Sequence, residues 1–176
     1  MNADQQANRI LDFGGFPGYW KIRKSTKETN GERFETYMKI EESGELPPHK
    51  HPKAEESYEV LSGVMEVYRD GEWEELSAGE KVTVPPGEIH AFRTNDTVEA
   101  FNVHKPALRY EQYFRRFHKL KTVAGVQMPP KGFKGMILLG MLQAEYEQEF
   151  TGVNPPQWLF KLMANFGRLL GYTLPK

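Results

Sequence analysis

The residues with the clearest potential for chemistry are two histidines, His49 and His51, which stand one residue apart. Alternate residues of a β-strand face the same side, so a strand here would point both imidazoles into the same interior. Pro47 and Pro48 precede the pair and Pro52 follows it, which predicts a stiff, edge-like backbone. An isolated His-X-His pair is more often a surface feature than a metal site, so a site requires further ligands.

Two other side chains could complete a ligand set. Glu56 follows His51 after a bend and could return a carboxylate to the same place. His90 comes shortly after the turn at residues 85–87, so its imidazole could enter from a neighbouring strand. Imidazoles with one carboxylate suit iron(II), manganese, cobalt, nickel, copper or zinc. Four protein ligands leave two positions free on an octahedral ion, where substrate, water or dioxygen could bind.

Composition limits the class of protein and the kind of metal site. The 176 residues include no cysteine, which excludes disulfides and thiolate ligands. With 39% hydrophobic and 27% charged residues, the chain is typical of a globular domain. The first residues lack a basic segment followed by an apolar one, so we expect no secretory signal and a cytoplasmic location.

Short strands separated by turns are predicted between residues 19 and 105. In residues 34–40, Glu35, Tyr37 and Lys39 alternate with the more apolar Phe34, Thr36, Met38 and Ile40, which is the two-residue period of a strand. Asp70 and Gly71 form a strong hairpin signal. Such a pattern is typical of a sandwich or a barrel. Residues 1–18, which end in GGFPG, are expected to be flexible. The further predicted strands are 64–68, 73–76, 81–84, 89–93 and 98–104.

Two stretches resemble the two motifs of the cupin superfamily. Residues 44–63, GELPPHKHPKAEESYEVLSG, contain the His-X-His pair, a glutamate and a closing glycine. Residues 79–95, GEKVTVPPGEIHAFRTN, contain a glycine, a proline-X-glycine turn, a histidine and an asparagine. Two departures affect no ligand: the first glycine lies one residue closer than usual to His49, and Asn95 lies one place late. The short gap between the motifs is similar to that of small microbial single-domain cupins.

The resemblance covers about residues 30–106 and implies an all-β fold, a double-stranded β-helix or jelly-roll barrel, with C-terminal α-helices. It selects Glu56 rather than Glu55 as a ligand, because Glu56 keeps the family's spacing to the histidine pair and to Gly63. Cupins often dimerise, so a homodimer is expected. The resemblance implies one divalent metal ion per chain, held by His49, His51, Glu56 and His90.

The period becomes helical after Pro106, which predicts a barrel domain at residues 1–106 and a helical extension at 107–176. Residues 107–121, 133–150 and a segment from Asn154, the expected N-cap, to near Gly171 are predicted helices. Residues 1–104 carry 12 Lys and Arg against 20 Asp and Glu, whereas residues 105–121 carry 6 against 1. This asymmetry favours docking of the tail on the body or its dimer over contact with an anionic membrane surface. Nucleic-acid binding is not expected.

Several other side chains are candidates for contact with the ligands or the cavity. Tyr58 has the same strand parity as Glu56 and is the preferred neighbour of the ligands. His104 is interpreted as a residue of the barrel rim, and His118, among basic residues, as solvated. The strand residues Phe92, Asn102 and Met65 could also line the cavity.

Three kinds of function are open to such a protein. The first is a metal-dependent enzyme acting on a small oxygen-bearing organic molecule, with a non-haem iron dioxygenase as the preferred form. The second is a metal-dependent isomerase, decarboxylase, lyase or cyclase without dioxygen, in which the metal acts as a Lewis acid. The third is a non-catalytic cupin that binds a small molecule or a metal. A complete ligand set favours the first two.

Overall fold

The computed structural model describes residues 8–41 and 43–175. Strands dominate the first part of the chain and helices the last part. The strands are β1 Ile10–Asp12, β2 Tyr19–Lys24, β3 Phe34–Ile40, β4 Gly44–Lys50, β5 Glu55–Ser62, β6 Val64–Arg69, β7 Glu72–Ser77, β8 Lys81–Val84, β9 His90–Thr94, β10 Val98–Lys105 and β11 Thr151–Gly152. The helices are α1 Tyr110–Thr122, α2 Gly132–Glu145 and α3 Gln157–Leu169.

The strands form two antiparallel sheets. One sheet has six strands in the order β1-β2-β3-β10-β5-β8, and the other has five in the order β11-β4-β9-β6-β7. Both sheets turn alternate side chains inward; in β3 the inward residues are Phe34, Thr36, Met38 and Ile40. This is the predicted all-β architecture of a double-stranded β-helix, followed by helices.

The predicted hairpin between β6 and β7 is confirmed. Asp70 and Gly71 at its tip have φ angles of 52° and 90°, the left-handed conformations that a two-residue hairpin turn requires. The two strands then pair from Val64 with Ser77 to Arg69 with Glu72. Local turn chemistry therefore sets the register of this pair.

The expectation of a flexible N-terminal segment is wrong for residues 8–18, whereas residues 1–7 lie outside the described residues. Residues 10–12 form β1, which pairs with β2. Leu11 and Phe13 are buried, and the Phe13 ring lies 5.0 Å from that of Phe117 on α1. Apolar burial against a distant helix therefore orders a glycine-rich segment.

The helices differ from the predictions mainly at their ends. The second predicted helix ends at Glu145 rather than near residue 150, because the chain turns at Tyr146 and then forms β11 beside β4. Asn154 is not an N-cap: Pro156 occupies that position and α3 begins at Gln157. His118 is half-buried rather than solvated, with its Nε2 3.1 Å from the Asp12 carbonyl oxygen.

The helical tail packs on the barrel of its own chain. Tyr110 of α1 belongs to the barrel core, and the Phe114 ring lies 4.9 Å from Trp20 and 5.7 Å from Phe34. A second apolar cluster, between α1, α2 and α3, includes Leu120. Within the described residues, no helix has the length and apolar character needed to cross a bilayer.

Candidate metal centre

Four buried side chains with metal-binding groups meet inside the barrel. Their ligand atoms all lie within 4.8 Å of one another, and each residue is at most 4% exposed. The structure thus brings together the four residues singled out in the sequence: His49, His51, Glu56 and His90.

Strand pairing explains why residues distant in sequence converge. His49 on β4 is the direct partner of His90 on β9, and their ring centroids lie 4.2 Å apart. The pairing of these strands is interrupted between Leu46 and His49. Pro47 and Pro48 lie in this interruption, where the missing N–H group of a proline breaks no regular hydrogen bond of the sheet. Glu56 reaches the same point from β5 in the opposite sheet. The site therefore depends on both sheets.

Backbone carbonyl groups fix the orientation of all three rings. The Nδ1 of His49 lies 3.0 Å from the Pro47 oxygen, that of His51 2.5 Å from the Glu149 oxygen, and that of His90 3.1 Å from the Glu88 oxygen. Because a carbonyl only accepts hydrogen bonds, each Nδ1 is the protonated nitrogen. When a ring is neutral, its Nε2 therefore carries the lone pair that a metal ion needs.

The Glu56 carboxylate divides its two oxygens between different tasks. Oε2 lies 2.9 Å from Nε2 of His51 and 2.8 Å from Nε2 of His90. Neighbouring ligands on an octahedral ion with bonds of about 2.1 Å lie about 3 Å apart, so these spacings suit a shared ion. Oε1 accepts a hydrogen bond from Nδ2 of Asn102 at 2.7 Å and lies 3.1 Å from Nε2 of His104.

Burial and the neighbouring charges shift the pKa values of the residues in this cluster. Burial by itself raises the pKa of Glu56. The nearby His104 and His51 lower this pKa by more than burial raises it, so the carboxyl pKa is held well below its usual range. Burial lowers the pKa of His49 well below its ordinary value. Burial also opposes protonation of His90, yet the hydrogen bond to Glu56 raises the pKa of His90. The cluster thus holds an ionised carboxylate beside a neutral His49.

His104 is not the rim residue expected from the sequence. It is 1% exposed and lies directly opposite Glu56 in the pairing of β10 with β5. Its ring stacks on Tyr110 at 3.9 Å, and its Nδ1 has no hydrogen-bond partner among the described residues. The shared parity of His104 and Asn102 on one strand was the signal that could have identified it.

Comparisons with known proteins agree with this geometry. A family model described as "Cupin domain" matches residues 36–104, which include all four ligand candidates. Residues 36–104 therefore form a cupin domain. Comparison of the sequence with curated proteins finds no match.

Several solved structures are similar to part of this chain. An RmlC-like cupin from Shewanella frigidimarina is 22% identical, with a TM-score of 0.52 over 63% of this chain and 93% of that chain. KdgF from a Halomonas species is 20% identical, with a TM-score of 0.47 over 53% and 82% of the respective chains. EutQ from Clostridium difficile is 23% identical, with a TM-score of 0.46 over 60% and 76%.

Tyr58 lies in the cupin barrel on the same strand and side as Glu56. It is 1% exposed, and its ring lies 5.7 Å from that of Phe92. Burial, and then the Glu56 carboxylate, raise the pKa of Tyr58 well above its ordinary value. Tyr58 is therefore a neutral phenol at physiological pH. Asn102 and Met65, the other cavity candidates, are also fully buried.

The segment after α2 closes the cluster, and no sequence signal indicated this contact. The Phe150 ring stacks on His49, with the centroids 4.2 Å apart and the planes at 10°. The Glu149 carbonyl accepts from His51 and from the Tyr110 hydroxyl at 2.7 Å. The guanidinium group of Arg109 in turn holds the Glu149 carboxylate with two hydrogen bonds of 3.0 and 3.1 Å.

Replacing Asn102 by leucine is expected to weaken metal binding by about 10–100-fold, the usual effect of losing a side chain that orients a ligand. The substitution removes the donor that fixes Oε1 of Glu56, at similar side-chain volume. A competition titration with a chromophoric zinc chelator measures the affinity. Asn95→Leu is the matched control, because Asn95 is exposed and contacts Glu66 instead. Equal affinities for both variants would contradict an orienting role.

Proposed function

We propose that this cupin is a metal-dependent enzyme acting on a small oxygen-bearing organic molecule, and that it is a non-haem iron dioxygenase. One observation carries the proposal: three buried imidazoles, each with Nδ1 beside a carbonyl, gather within 4.8 Å of one carboxylate, and Nε2 of His51 and of His90 face the same oxygen of it. Without an ion, a neutral imidazole of His51 or His90 would present its Nε2 lone pair to a carboxylate oxygen, which destabilises a buried cluster.

The proposed ligands of one divalent ion are His49, His51, Glu56 and His90. Iron(II) is the preferred ion, and manganese, nickel, cobalt, copper and zinc suit the same nitrogen and oxygen donors. When bound, such an ion would supply Lewis-acid and redox chemistry towards an oxygen-bearing substrate and dioxygen.

The surrounding side chains have separate proposed tasks. Asn102 and His104 orient the Glu56 carboxylate, which leaves Oε2 for the ion. Phe150 covers His49 and excludes water from that side of the cluster. Tyr58 holds its proton on the phenol oxygen beside the ligands. A dry site of this kind strengthens electrostatic interactions with a bound substrate.

The alternative catalytic function is an isomerase, decarboxylase, lyase or cyclase that uses no dioxygen. Tyr58 and His104 favour it, because a phenol and an imidazole beside Glu56 could transfer a proton. A non-catalytic cupin that binds a small molecule or a metal is the third candidate. In all three cases the location we propose is cytoplasmic.

Elemental analysis combined with dioxygen uptake tests the proposal. We expect about one metal ion per chain, and oxygen consumption by the iron(II)-loaded protein with a member of a panel of phenols, diketones and organic acids. Metal binding without uptake on any compound would contradict the dioxygenase and favour the alternative enzyme class. Failure to bind any divalent metal would contradict both.

Metal affinity is expected to fall as the pH drops from 8 to 5, because metal binding needs neutral imidazoles. The pKa of His90 is raised by Glu56 despite burial, so a proton competes with the metal at that ring first. The pKa of His49 is lowered by burial, so this ring loses its lone pair only at lower pH. Cobalt(II) titrations from pH 8 to pH 5 measure the effect. A flat profile would contradict the histidine ligands.

We also propose a homodimer in which the exposed face of α3 meets its copy. Four large apolar side chains form one stripe on this helix: Trp158, Leu162, Phe166 and Leu169. Exposed apolar surfaces of this kind mark interaction sites in soluble proteins. The cations of α3 are already engaged, Lys161 with Glu147 at 2.6 Å and Arg168 with Asn165 at 3.0 Å. The face therefore suits an apolar copy of itself better than an anionic membrane.

Light scattering coupled to size exclusion tests the dimer. Wild-type protein is expected at twice the mass of one chain, and Leu162→Glu at the mass of one chain. Leu61→Glu, which changes an exposed leucine on β5 instead, should stay dimeric. A monomeric wild type that binds anionic vesicles would replace the dimer with a membrane contact.

A further inference from the structure

A cavity lies outside the metal cluster, between the barrel and the tail helices. Its volume is about 430 Å³, within the range of small-molecule sites. Its walls come from β4, from all three helices and from the segments beside them. The aromatic and aliphatic lining residues are Phe16, Leu46, Tyr113, Phe117, Met136, Leu139, Phe150 and Phe160, and prolines supply much of the rest.

The charges around this cavity exclude an anionic ligand. Among the described lining residues, Glu45 is the one charged side chain, and it is exposed. Among the lining residues that the structure describes there is no lysine, arginine or histidine, so a carboxylate or a phosphate would lose its hydration without gaining a partner. A ligand of this cavity should therefore be neutral and mainly apolar.

One polar group in the wall lacks a partner. Gln143 is 5% exposed, and its Nε2 donates a hydrogen bond to the Tyr113 hydroxyl at 3.1 Å. Its Oε1 has no hydrogen-bond partner among the described residues. A buried amide oxygen without a donor destabilises the protein. A ligand with a hydroxyl or N–H group would supply that donor.

The cavity and the metal cluster share two residues at their boundary. Phe150 lines the cavity and stacks on His49. Pro47 also lines it, and its carbonyl oxygen accepts the hydrogen bond from Nδ1 of His49. A molecule in the cavity is thus separated from a proposed metal ligand by a single side chain.

We propose that this cavity binds the apolar part of the substrate, and that the substrate is a neutral aromatic or aliphatic molecule with a hydroxyl or N–H donor for Oε1 of Gln143. This inference rests on the proposed metal enzyme and narrows its substrate class. Phenols and alcohols fit the cavity, and organic acids do not.

A set of matched naphthalenes tests the inference without any variant. The probes are 2-naphthol, 2-methoxynaphthalene and 2-naphthoate, titrated into metal-free protein by fluorescence. We expect 2-naphthol to bind about fivefold more tightly than its methyl ether, the effect of one hydrogen bond, and 2-naphthoate to bind more weakly than both. Equal binding of all three, or no binding, would overturn the inference.

Two substitutions locate the bound probe. Gln143→Met should remove the difference between 2-naphthol and its methyl ether while preserving the apolar contacts. Leu139→Trp should fill the cavity and abolish binding, whereas Leu61→Trp, outside the cavity, should not. Unchanged binding in Leu139→Trp would show that the probe binds elsewhere and would overturn the inference.

The visible spectrum of cobalt-loaded protein separates this inference from the proposed function. Because the cavity adjoins His49, 2-naphthol should alter the cobalt absorption bands. Binding without a spectral change would show a cavity independent of the metal and overturn its assignment to the substrate. Failure to load cobalt would instead count against the metal enzyme, while the titration of metal-free protein would still test the cavity.

Discussion

Replacement of His51 by alanine is expected to remove stoichiometric metal binding while the barrel stays folded. Structural metal sites contribute about 10–16 kcal/mol, so one ligand of four contributes roughly 3 kcal/mol, or about 100-fold in affinity. The fold should survive, because its core consists of apolar strand residues such as Phe34, Met38 and Ile40 rather than the ion. Elemental analysis measures the metal, and circular dichroism measures the fold.

His118→Ala is the matched control for this variant. His118 lies on α1, away from the cluster, and contacts the Asp12 carbonyl. It should therefore keep the wild-type metal content. An unfolded His51→Ala protein would show that the metal has a structural role. Full metal content in His51→Ala would show that the ligand set is wrong.

Deletion of residues 122–176 is expected to cause aggregation, strong binding of a hydrophobic dye and loss of metal affinity. The deletion removes α2 and α3, which cover Leu120 and Tyr113 on α1. It also removes the Glu149 carbonyl that fixes His51 and the Phe150 ring that covers His49. Dye fluorescence and a zinc competition titration measure the two effects separately.

A shorter deletion, of residues 157–176, tests the covering of the apolar core by α3 separately from the contacts of Glu149 and Phe150 with the metal cluster. It removes α3 and exposes part of α2, but it keeps Glu149 and Phe150. We therefore expect increased dye binding with metal affinity close to that of the wild type. Equal loss of metal affinity in both deletions would contradict a specific contribution of Glu149 and Phe150. A soluble long deletion with unchanged dye binding would contradict the covering role of the tail.

Much of the barrel could be predicted from the sequence because its signals are local. The alternation in residues 34–40 and the Asp70-Gly71 turn depend on neighbouring residues, and both predictions are confirmed. The convergence of His49, His51, Glu56 and His90 could also be anticipated, because the resemblance of the two motifs to those of cupins implies that these side chains meet in the barrel. The helix ends were less predictable, because tertiary contacts with β4 determine where α2 stops.

The tertiary structure alone decided what surrounds the cluster. Burial of His104 depends on the pairing of β10 with β5, which places it opposite Glu56. This register cannot be deduced from the sequence of either strand. The contacts of Phe150 with His49 and of Glu149 with His51 join residues about one hundred positions apart. No local pattern encodes such a contact, because it arises only when the apolar tail folds back to bury its own surface. The sequence by itself indicated the barrel and the four candidate ligands, and the packing of the tail decided how their cluster is closed.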